Sequence, residues 1–368
     1  MSNKRIKLAM IATNLKLNGI STVIMNYISY LDLDKYRVTL IVGKGVAQKY
    51  RNICKRKKVQ IIELAPRKES PVRFYYGLYK YLLFHHFDIV HVHGSNASIG
   101  MELFLAKISG IKIRIAHSHN TTSTSMRIHK MMKPIFNFSY TDGFACGKLA
   151  GKWLFGDKPF TIIPNGVEVD RFKFDPVKRN FIRKELKLDK SFVIGHVGRF
   201  NYQKNHKFLL AVFEEILKQK KNAKLLLVGN GPDFEKFRNS IIYKKFSKNI
   251  ILYGETNKPN DLYQAMDYFV FPSRFEGLPL TLIEAQISGL PCLVSDVITP
   301  EVQLSKNLKF MSLNNAPKKW TKTIMNSSLE DRNNFFKENI SAIDHYRIKN
   351  DVDILDKQYQ KILKENNK

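Results

Sequence analysis

The sequence predicts two doubly wound α/β domains in tandem, and three observations support this fold class. Short apolar runs rich in β-forming residues recur along the chain, and each precedes a longer amphipathic stretch, which is the pattern of βαβ units. The alternation stops at one polar, charge-rich passage, residues 167–190, and then restarts. The length of 368 residues suits two domains, since one domain holds about 100 to 200 residues.

The first domain is predicted over residues 1–166. In an open parallel sheet, ligands bind beyond the carboxyl ends of the strands, so the residues that follow each strand are the candidates for a site. Amphipathic segments predict helices over residues 21–31, 47–57, 71–85 and 97–109. Strands are expected at residues 6–12, 37–42, 59–64, 88–93, 112–116, 143–146 and 160–163.

The second domain is predicted over residues 191–348, after a linker formed by residues 167–190. A polar helix over residues 349–368 follows, and we expect it to pack back on the first domain. The cleft between two facing domains is the expected place for a ligand. Strands of the second domain are expected at residues 192–197, 224–228, 249–253, 268–271, 292–295 and 308–311.

The composition predicts a globular protein of a reducing compartment. Hydrophobic residues make up 44% of the chain, an ordinary share for a folded protein. Cys54, Cys146 and Cys292 form no CxxC pair, which argues against a disulfide framework and a structural zinc site. The sequence shows neither a signal peptide nor a long uncharged apolar run, so the expected location is cytoplasmic.

The charge is strongly basic and unevenly distributed. The formal net charge is +29; residues 1–150 carry 24 basic and 7 acidic side chains, whereas residues 251–300 carry 2 basic and 6 acidic ones. A basic protein of this kind suggests a nucleic-acid partner. Because the sequence contains no helix-turn-helix, zinc-finger or RNP motif, we expect no nucleic-acid partner.

The most informative segment is FEGLPLTLIEA, residues 275–285, directly after a predicted strand. Pro279 suits the first turn of a helix, which places Glu276 in the preceding loop and Glu284 in the second turn. Free amides at a helix N-terminus bind anions, and two carboxylates can accept hydrogen bonds from sugar hydroxyls. The alternative is that Glu276 is an acid favoured by the helix dipole and Glu284 a solvated helix residue.

A second informative segment, residues 195–206, reads GHVGRFNYQKNH and follows the first strand of the second domain. Arg199 and Lys204 suit a diphosphate, the arginine through bidentate geometry and the lysine as a point charge. In a chain with 61 basic residues, the alternative is that this pair belongs to the ordinary surface.

Taken together, these segments resemble glycosyltransferase family 4, a large family of retaining enzymes. The resemblance implies the GT-B fold, in which two Rossmann-like domains face each other across a cleft, and it covers nearly the whole chain. It rests on Gly198-Arg199-Phe200 with Lys204-Asn205-His206, on Val228-Gly229-Asn230-Gly231-Pro232, on Pro272-Ser273 with the Glu-x7-Glu segment, and on Ile163-Pro164-Asn165-Gly166-Val167-Glu168.

The resemblance implies a role for each matching residue. Glu276 would bind the hydroxyls of the transferred sugar and Glu284 those of the ribose, while Arg199 and Lys204 would hold the donor diphosphate. No metal and no other cofactor is expected, because protein cations and a helix N-terminus balance the diphosphate. Further candidates on the donor side are Gly19, Asn165, Gly229, Gly277 and Leu278.

The segment IAHSHNT, residues 115–121, supplies a candidate from the first domain. The family often has a histidine here, near the transferred sugar, and His119 matches that position better than His117. The alternative is an ordinary loop histidine, and His91 and His93 are expected to be packing residues of a strand.

The loop after the first strand departs from the family pattern. Family members commonly carry a Gly-Gly pair there, whereas this chain has only Gly19. Ser21 or Thr22 is expected to cap the helix that follows.

The resulting hypothesis is a retaining hexosyltransferase that uses a nucleotide-diphosphate sugar, most often a UDP-sugar in this family. Its acceptor would be a lipid-linked glycan in the assembly of surface polysaccharide such as capsule or exopolysaccharide. Glu276, His119, Arg199 and Lys204 are the expected catalytic residues. The alternatives are a nucleotide-sugar epimerase on the same fold and, more distantly, a basic nucleic-acid-binding protein.

Residues 72–87, VRFYYGLYKYLLFHHF, mix aromatic and basic side chains. This mixture suits a helix that lies on an anionic membrane, and it predicts peripheral association with the inner face of the cell membrane. The alternative is that the apolar side packs on the sheet and the charges are merely solvated.

Overall fold

The computed structural model describes residues 5–327 and 331–366, which form two compact units. Within the described residues, unit 1 combines residues 5–166 with residues 348–366, and unit 2 comprises residues 167–327 and 331–347. The segment 167–190, expected to be a linker, carries two helices and belongs to unit 2. In the expected C-terminal helix, residues 367 and 368 lie outside the described residues.

The described part of unit 1 contains a seven-stranded parallel sheet. Its strands are β1 (Ile6–Ala12), β2 (Tyr36–Gly43), β3 (Gln60–Leu64), β4 (Ile89–Gly94), β5 (Ile113–Ser118), β6 (Asp142–Ala145) and β7 (Thr161–Ile162). They are arranged in the order β3-β2-β1-β4-β5-β6-β7. The helices are α1 (Gly19–Tyr30), α2 (Gln48–Lys57), α3 (Pro71–Phe84), α4 (Gly100–Ile108), α5 (Met126–Ser139), α6 (Lys148–Phe155) and the C-terminal helix (Ile348–Asn366).

Unit 2 has the same architecture. Its described strands are β8 (Val193–Val197), β9 (Lys224–Val228), β10 (Ile250–Gly254), β11 (Tyr268–Phe271), β12 (Cys292–Ser295) and β13 (Leu308–Met311). They are parallel and lie in the order β10-β9-β8-β11-β12-β13. The helices are α7 (Val169–Phe172), α8 (Pro176–Glu185), α9 (His206–Gln219), α10 (Phe234–Arg238), α11 (Ile241–Phe246), α12 (Pro259–Ala265), α13 (Leu280–Ile287), α14 (Pro317–Met325), α15 (Arg332–Glu338) and α16 (Ile340–Asp344).

Apolar strands explain why the central strands of both sheets, such as β4 and β8, are buried on both faces. Every residue of β8, β11 and β12 is buried, as expected for parallel strands with helices on both sides. The amphipathic helix α3 shows the complementary pattern, because Phe74, Leu78 and Leu82 recur at helical spacing and enter the core of unit 1. The predicted doubly wound α/β fold is therefore confirmed in each unit.

The strand order places a ligand crevice in each sheet. The direction of winding reverses between β1 and β4 in unit 1 and between β8 and β11 in unit 2. Loops that leave two such neighbouring strands turn to opposite faces of the sheet and open a crevice at its carboxyl edge. In unit 2, Gly195 of β8 pairs with Phe269 of β11, so the two informative segments of the sequence follow neighbouring strands.

The C-terminal helix completes unit 1 by packing on α1 and β5. Its Asp356 accepts hydrogen bonds from the Tyr36 hydroxyl at 2.6 Å and from Lys35 Nζ at 2.9 Å. Its Tyr359 hydroxyl lies 2.6 Å from His91 Nδ1. Among the described helices, none is long and apolar enough to cross a membrane.

Candidate functional site

Lys204 and Glu276 meet at the carboxyl edge of unit 2. Lys204 Nζ lies 2.8 Å from Glu276 Oε1, and the two side chains are only 12% and 9% exposed. The ammonium group also lies 4.3 Å from the centre of the Phe271 ring. The structure thus brings together, largely out of water, two residues that the sequence places 72 positions apart.

A set of loop hydrogen bonds fixes this pair. The Asn201 side chain accepts from the backbone N–H of Lys204 and caps a short 3₁₀ helix, Tyr202–Lys204. Gln203 connects this turn to the loop after β11, because its side-chain amide donates to the Phe275 carbonyl at 3.0 Å and its own carbonyl accepts from the Arg274 N–H at 2.8 Å. The two loops therefore hold each other in position next to the switch point.

Glu284 lies in the helix that follows the Glu276 loop. Pro279 is the N-cap residue of α13, one position before the first turn where the sequence predicted it. Glu284 is buried, and the Tyr263 hydroxyl donates to its Oε2 at 2.9 Å. Gly277 and Leu278 are buried in the loop that leads to the N-terminus of α13, where backbone amides can bind an anion.

Arg199 and Gly229 belong to neighbouring loops after β8 and β9. Arg199 is exposed. Gly229 has a φ of 133°, and a Cβ atom there would lie 2.2 Å from the Gly198 carbonyl oxygen. Only glycine permits this approach, so Gly229 supports the backbone that carries Arg199.

In unit 1, the structure turns His119 inward. Its backbone N–H donates to the Gly94 carbonyl, and its Nε2 lies 3.0 Å from His93 Nδ1. Its Nδ1 is also buried. Burial lowers the pKa of His119 to about 3, and the side chain of Asn165 has a smaller, opposite effect. The ring is therefore neutral, and both ring nitrogens lie inside unit 1.

His119 is one of four stacked histidines on β4 and the end of β5. His91 Nε2 lies 3.1 Å from His117 Nδ1, and burial lowers the pKa of His91 to about 3. Within the described residues, one ring nitrogen from each of His91, His93 and His117 lies within 4.8 Å of the others, so these three are the group that could hold a metal ion. Within each of the two pairs, His91–His117 and His93–His119, one ring nitrogen lies within hydrogen-bond distance of the other, which fits the packing role predicted for His91 and His93.

Asn165 lies in a turn that the C-terminal helix covers. Asn165 is buried, and a Cβ atom on the following Gly166 would lie 2.4 Å from Asp351 Oδ2. Burial raises the pKa of Asp351 to about 8, with a smaller lowering effect of the Gly166 backbone N–H. The fit against Asp351 explains the glycine of this turn in terms of packing.

Gly19 is the first residue of α1 and is exposed. A Cβ atom there would meet nothing within 4 Å, so no neighbour within the described structure requires glycine. The helix cap was predicted at Ser21 or Thr22, but Asn18 fills this role, because its side chain accepts from the Ser21 N–H at 3.0 Å. The Ser21 and Thr22 hydroxyls donate instead to the carbonyls of Asn14 and Asn18.

Tyr263 and Gln203 of unit 2 were not singled out in the sequence, and the bond between His93 and His119 of unit 1 was not predicted. Tyr263 contacts Glu284, Gln203 joins the two loops, and His93 bonds to His119. Each lies on a different element from the residue it holds, and no motif connects them. The strand order alone would have indicated His93, since His93 and His117 are register partners on β4 and β5.

Comparisons with known proteins identify the family of the chain. The family model for glycosyl transferases group 1 matches residues 177–339, and the model for glycosyltransferase family 4 matches residues 17–171. The chain is 32% identical over 255 residues to the capsular polysaccharide biosynthesis glycosyltransferase CapH of Staphylococcus aureus, an alignment that covers 64% of this chain and 68% of CapH.

A second relative and a solved structure extend the comparison. The chain is 30% identical over 240 residues to the UDP-Gal:alpha-D-GlcNAc-diphosphoundecaprenol alpha-1,3-galactosyltransferase of Escherichia coli, which covers 60% of this chain and 61% of that enzyme. The crystal structure of Anabaena HepE in complex with UDP and glucose superposes with a TM-score of 0.80 at 12% identity, covering 97% of this chain and 100% of HepE.

Proposed function

Because the chain belongs to glycosyltransferase family 4 and has the GT-B fold, we propose that it is a retaining hexosyltransferase with a UDP-sugar donor. We propose a lipid-linked glycan as its acceptor, in the assembly of a surface polysaccharide. The observation that carries this proposal is the Lys204–Glu276 pair, with Glu284 following it, at the β8/β11 switch point.

The chemistry of these groups suits a nucleotide sugar. Lys204 and the exposed Arg199 are cations for the diphosphate, and the amides at the N-terminus of α13 add partial positive charge. Glu276 and Glu284 are acceptors for hydroxyl groups of the sugar and the ribose. The Lys204–Glu276 ion pair keeps both charges balanced before the donor binds.

The proposed transfer occurs on one face of the sugar. The bond between the anomeric carbon and the phosphate oxygen breaks, the acceptor oxygen bonds to the same face, and the acceptor proton passes to the departing phosphate. Arg199, Lys204 and the helix N-terminus stabilise the charge that develops on the diphosphate. We expect no metal requirement, because these groups supply the positive charge, and activity should then persist in excess EDTA.

Relatives support the donor and the acceptor classes. The solved structure of HepE holds UDP and glucose. The Escherichia coli relative is named for a UDP-galactose donor and a diphosphoundecaprenol-linked acceptor. These names favour a transferase that acts on a lipid-linked glycan over the epimerase alternative.

The first experiment is a thermal-shift panel of nucleotide sugars, followed by transfer of the labelled sugar to a lipid-linked glycan. Glu276→Gln should abolish transfer while the protein remains folded. Glu235→Gln is the matched control, since Glu235 is an exposed residue of α10 in the same unit. Near-normal transfer by Glu276→Gln would refute the proposed role of this carboxylate.

We further propose that unit 1 contacts an anionic membrane through α3 and α5, which both pack against α4. While Phe74, Leu78 and Leu82 face the core, the opposite side of α3 exposes Val72, Tyr76 and Phe84. The same helices expose basic side chains, and Lys80 Nζ lies 5.5 Å from the Tyr76 ring centre. Exposed apolar and basic residues on one face suit a lipid surface. The exposed apolar residues of α5 are Met126, Ile128, Met131 and Phe138.

Vesicle co-sedimentation tests this contact. The protein should sediment with vesicles that contain phosphatidylglycerol and stay in solution with pure phosphatidylcholine. The double variant Tyr76→Ser/Phe84→Ser should lower the bound fraction severalfold. The double variant Val177→Ser/Phe181→Ser is the control, because both residues are exposed on the basic helix α8 of unit 2. Equal loss in both double variants, or no lipid preference, would contradict the contact.

A further inference from the structure

Tyr263 contacts Glu284, the proposed ribose-binding carboxylate, through its hydroxyl group. Its hydroxyl lies 2.9 Å from Glu284 Oε2 and 3.0 Å from the carbonyl oxygen of Thr281. A phenol carries a single O–H proton, so these two acceptors share one donor. The hydroxyl therefore lies between the carboxylate and the carbonyl, within hydrogen-bond distance of both.

The position of Tyr263 is set independently of Glu284. Its ring is fully buried, with the Phe172 ring centre at 6.0 Å and that of Phe269 at 5.9 Å. The short helix α12 that carries it is tied to α7, because Arg171 Nε donates to Asn260 Oδ1 at 3.1 Å. Helix α7, which lies in the segment 167–190, therefore helps to hold α12 and Tyr263 in place without contacting Glu284 through this bond.

The hydroxyl is a donor throughout the pH range of an enzyme assay. Burial raises the pKa of Tyr263 well above its ordinary value, and the negative charge of Glu284 raises it further. The phenol stays protonated, and a protonated phenol can orient a carboxylate by donating to one of its oxygens.

We propose that Tyr263 is a positioning residue that aligns Glu284 for the ribose hydroxyls of the donor. The inference rests on the proposed function and adds to it the residue that makes the ribose contact selective. The Tyr263 hydroxyl keeps its bond to Oε2 while Glu284 accepts from the ribose, because a carboxylate has several acceptor positions. The tyrosine therefore favours ligands that carry a ribose over those that lack its hydroxyls.

Calorimetric titration with UDP and with 2′-deoxy-UDP tests the proposal. The wild-type protein should bind UDP more tightly than the deoxy nucleotide. Tyr263→Phe should weaken UDP binding by about 3- to 10-fold, which corresponds to the loss of one hydrogen bond, and should leave 2′-deoxy-UDP binding nearly unchanged. In turnover assays, the KM for the donor should rise while kcat changes less.

Tyr268→Phe is the matched control, because Tyr268 is another buried tyrosine of unit 2 whose hydroxyl lies 3.3 Å from Ser327 Oγ instead. This control should keep the wild-type preference for UDP. If Tyr263→Phe weakens the binding of UDP and of 2′-deoxy-UDP equally, the tyrosine has only a packing role and the proposal is overturned. An unchanged preference for UDP over 2′-deoxy-UDP in this variant would also overturn it. If the wild-type protein does not bind UDP at all, the proposed donor is wrong. The wild-type titration shows this before any variant is made, so failure of the proposed function is distinguished from failure of the role of Tyr263.

Discussion

Breaking the Lys204–Glu276 pair separates its contribution to stability from its contribution to transfer. We consider three variants: Lys204→Met, Glu276→Gln and the two changes together. The nitrogen and oxygen atoms are 2.8 Å apart, and both side chains are about nine-tenths buried. Removing one partner of such a pair leaves the other charge poorly solvated, whereas removing both leaves two neutral side chains.

The structure sets the order of the effects. Loss of one partner of a buried pair costs about 3 to 5 kcal/mol, and residual exposure of this pair favours the lower end. Glu276→Gln should cost less than Lys204→Met, because the remaining ammonium still lies 4.3 Å from the Phe271 ring centre, a contact worth about 0.5 to 2 kcal/mol. The double variant should lie within about 1 kcal/mol of the wild type, since both charges are gone.

The two tryptophans provide an assay for unit 2 alone. Trp153 lies in α6 of unit 1 and Trp320 in α14 of unit 2, where it is fully buried. In a Trp153→Phe background, urea unfolding followed by Trp320 fluorescence therefore reports the free energy of unfolding of unit 2. Transfer of the labelled sugar is measured on the same preparations.

We expect the double variant to regain stability and to remain inactive. A change of about 0.5 kcal/mol in the free energy of unfolding is typical of a surface substitution. If either single variant lies within this range of the wild type, the pair is solvated and the reasoning fails. If the double variant transfers sugar at a normal rate, the pair has no role in the reaction.

Two further predictions concern the stability of unit 2. Burial lowers the pKa of His196 to about 3 and that of His206 to about 2. Because the pKa of a histidine in the unfolded chain is near 6.5, the unfolded chain binds more protons than the folded protein below that pH. Acidification from pH 6.5 to pH 5 should cost about 1.6 kcal/mol for each ring, and a Trp320 unfolding midpoint that stays constant over this range would contradict it. Gly229→Ala should cost several times more than Gly254→Ala, because both glycines have positive φ but only Gly229 has a backbone oxygen 2.2 Å from the added Cβ; for Gly254 we expect only the strain of about 1 kcal/mol. Urea midpoints of the two variants compare them directly.

Patterns within a strand or a helix were readable from the sequence. The bounds of β1, β9, β11, β12 and β13 coincide with the predicted ones, because buried parallel strands are continuous apolar runs that need no information from their neighbours. The segment 167–190, expected to be a linker, carries the short helices α7 and α8. Their contacts lie on residues about 90 positions later, such as Gln264 and Asp267.

The residue pattern alone brings together only those site residues that lie in one segment, and the family resemblance supplied the link between Lys204 and Glu276. Glu276 and Glu284 share a segment, and the loop-helix pattern places both. Their partners Lys204 and Tyr263 lie 72 and 21 positions away, and only the strand order brings them near. The buried orientation of His119 could not be predicted from its own segment either. It depends on the bond to His93, which lies on the neighbouring strand β4.

The return of the C-terminal helix to unit 1 has a consequence for synthesis on the ribosome. The hydrogen-bond partners of Tyr36 and His91 are Asp356 and Tyr359, which are synthesised 320 and 268 residues later. All of unit 2 is therefore translated before the C-terminal helix can pack on α1 and β5 of unit 1. A nascent chain interrupted before residue 348 would carry a complete second unit beside an unfinished first one, with the stacked histidines uncovered on the Tyr359 side.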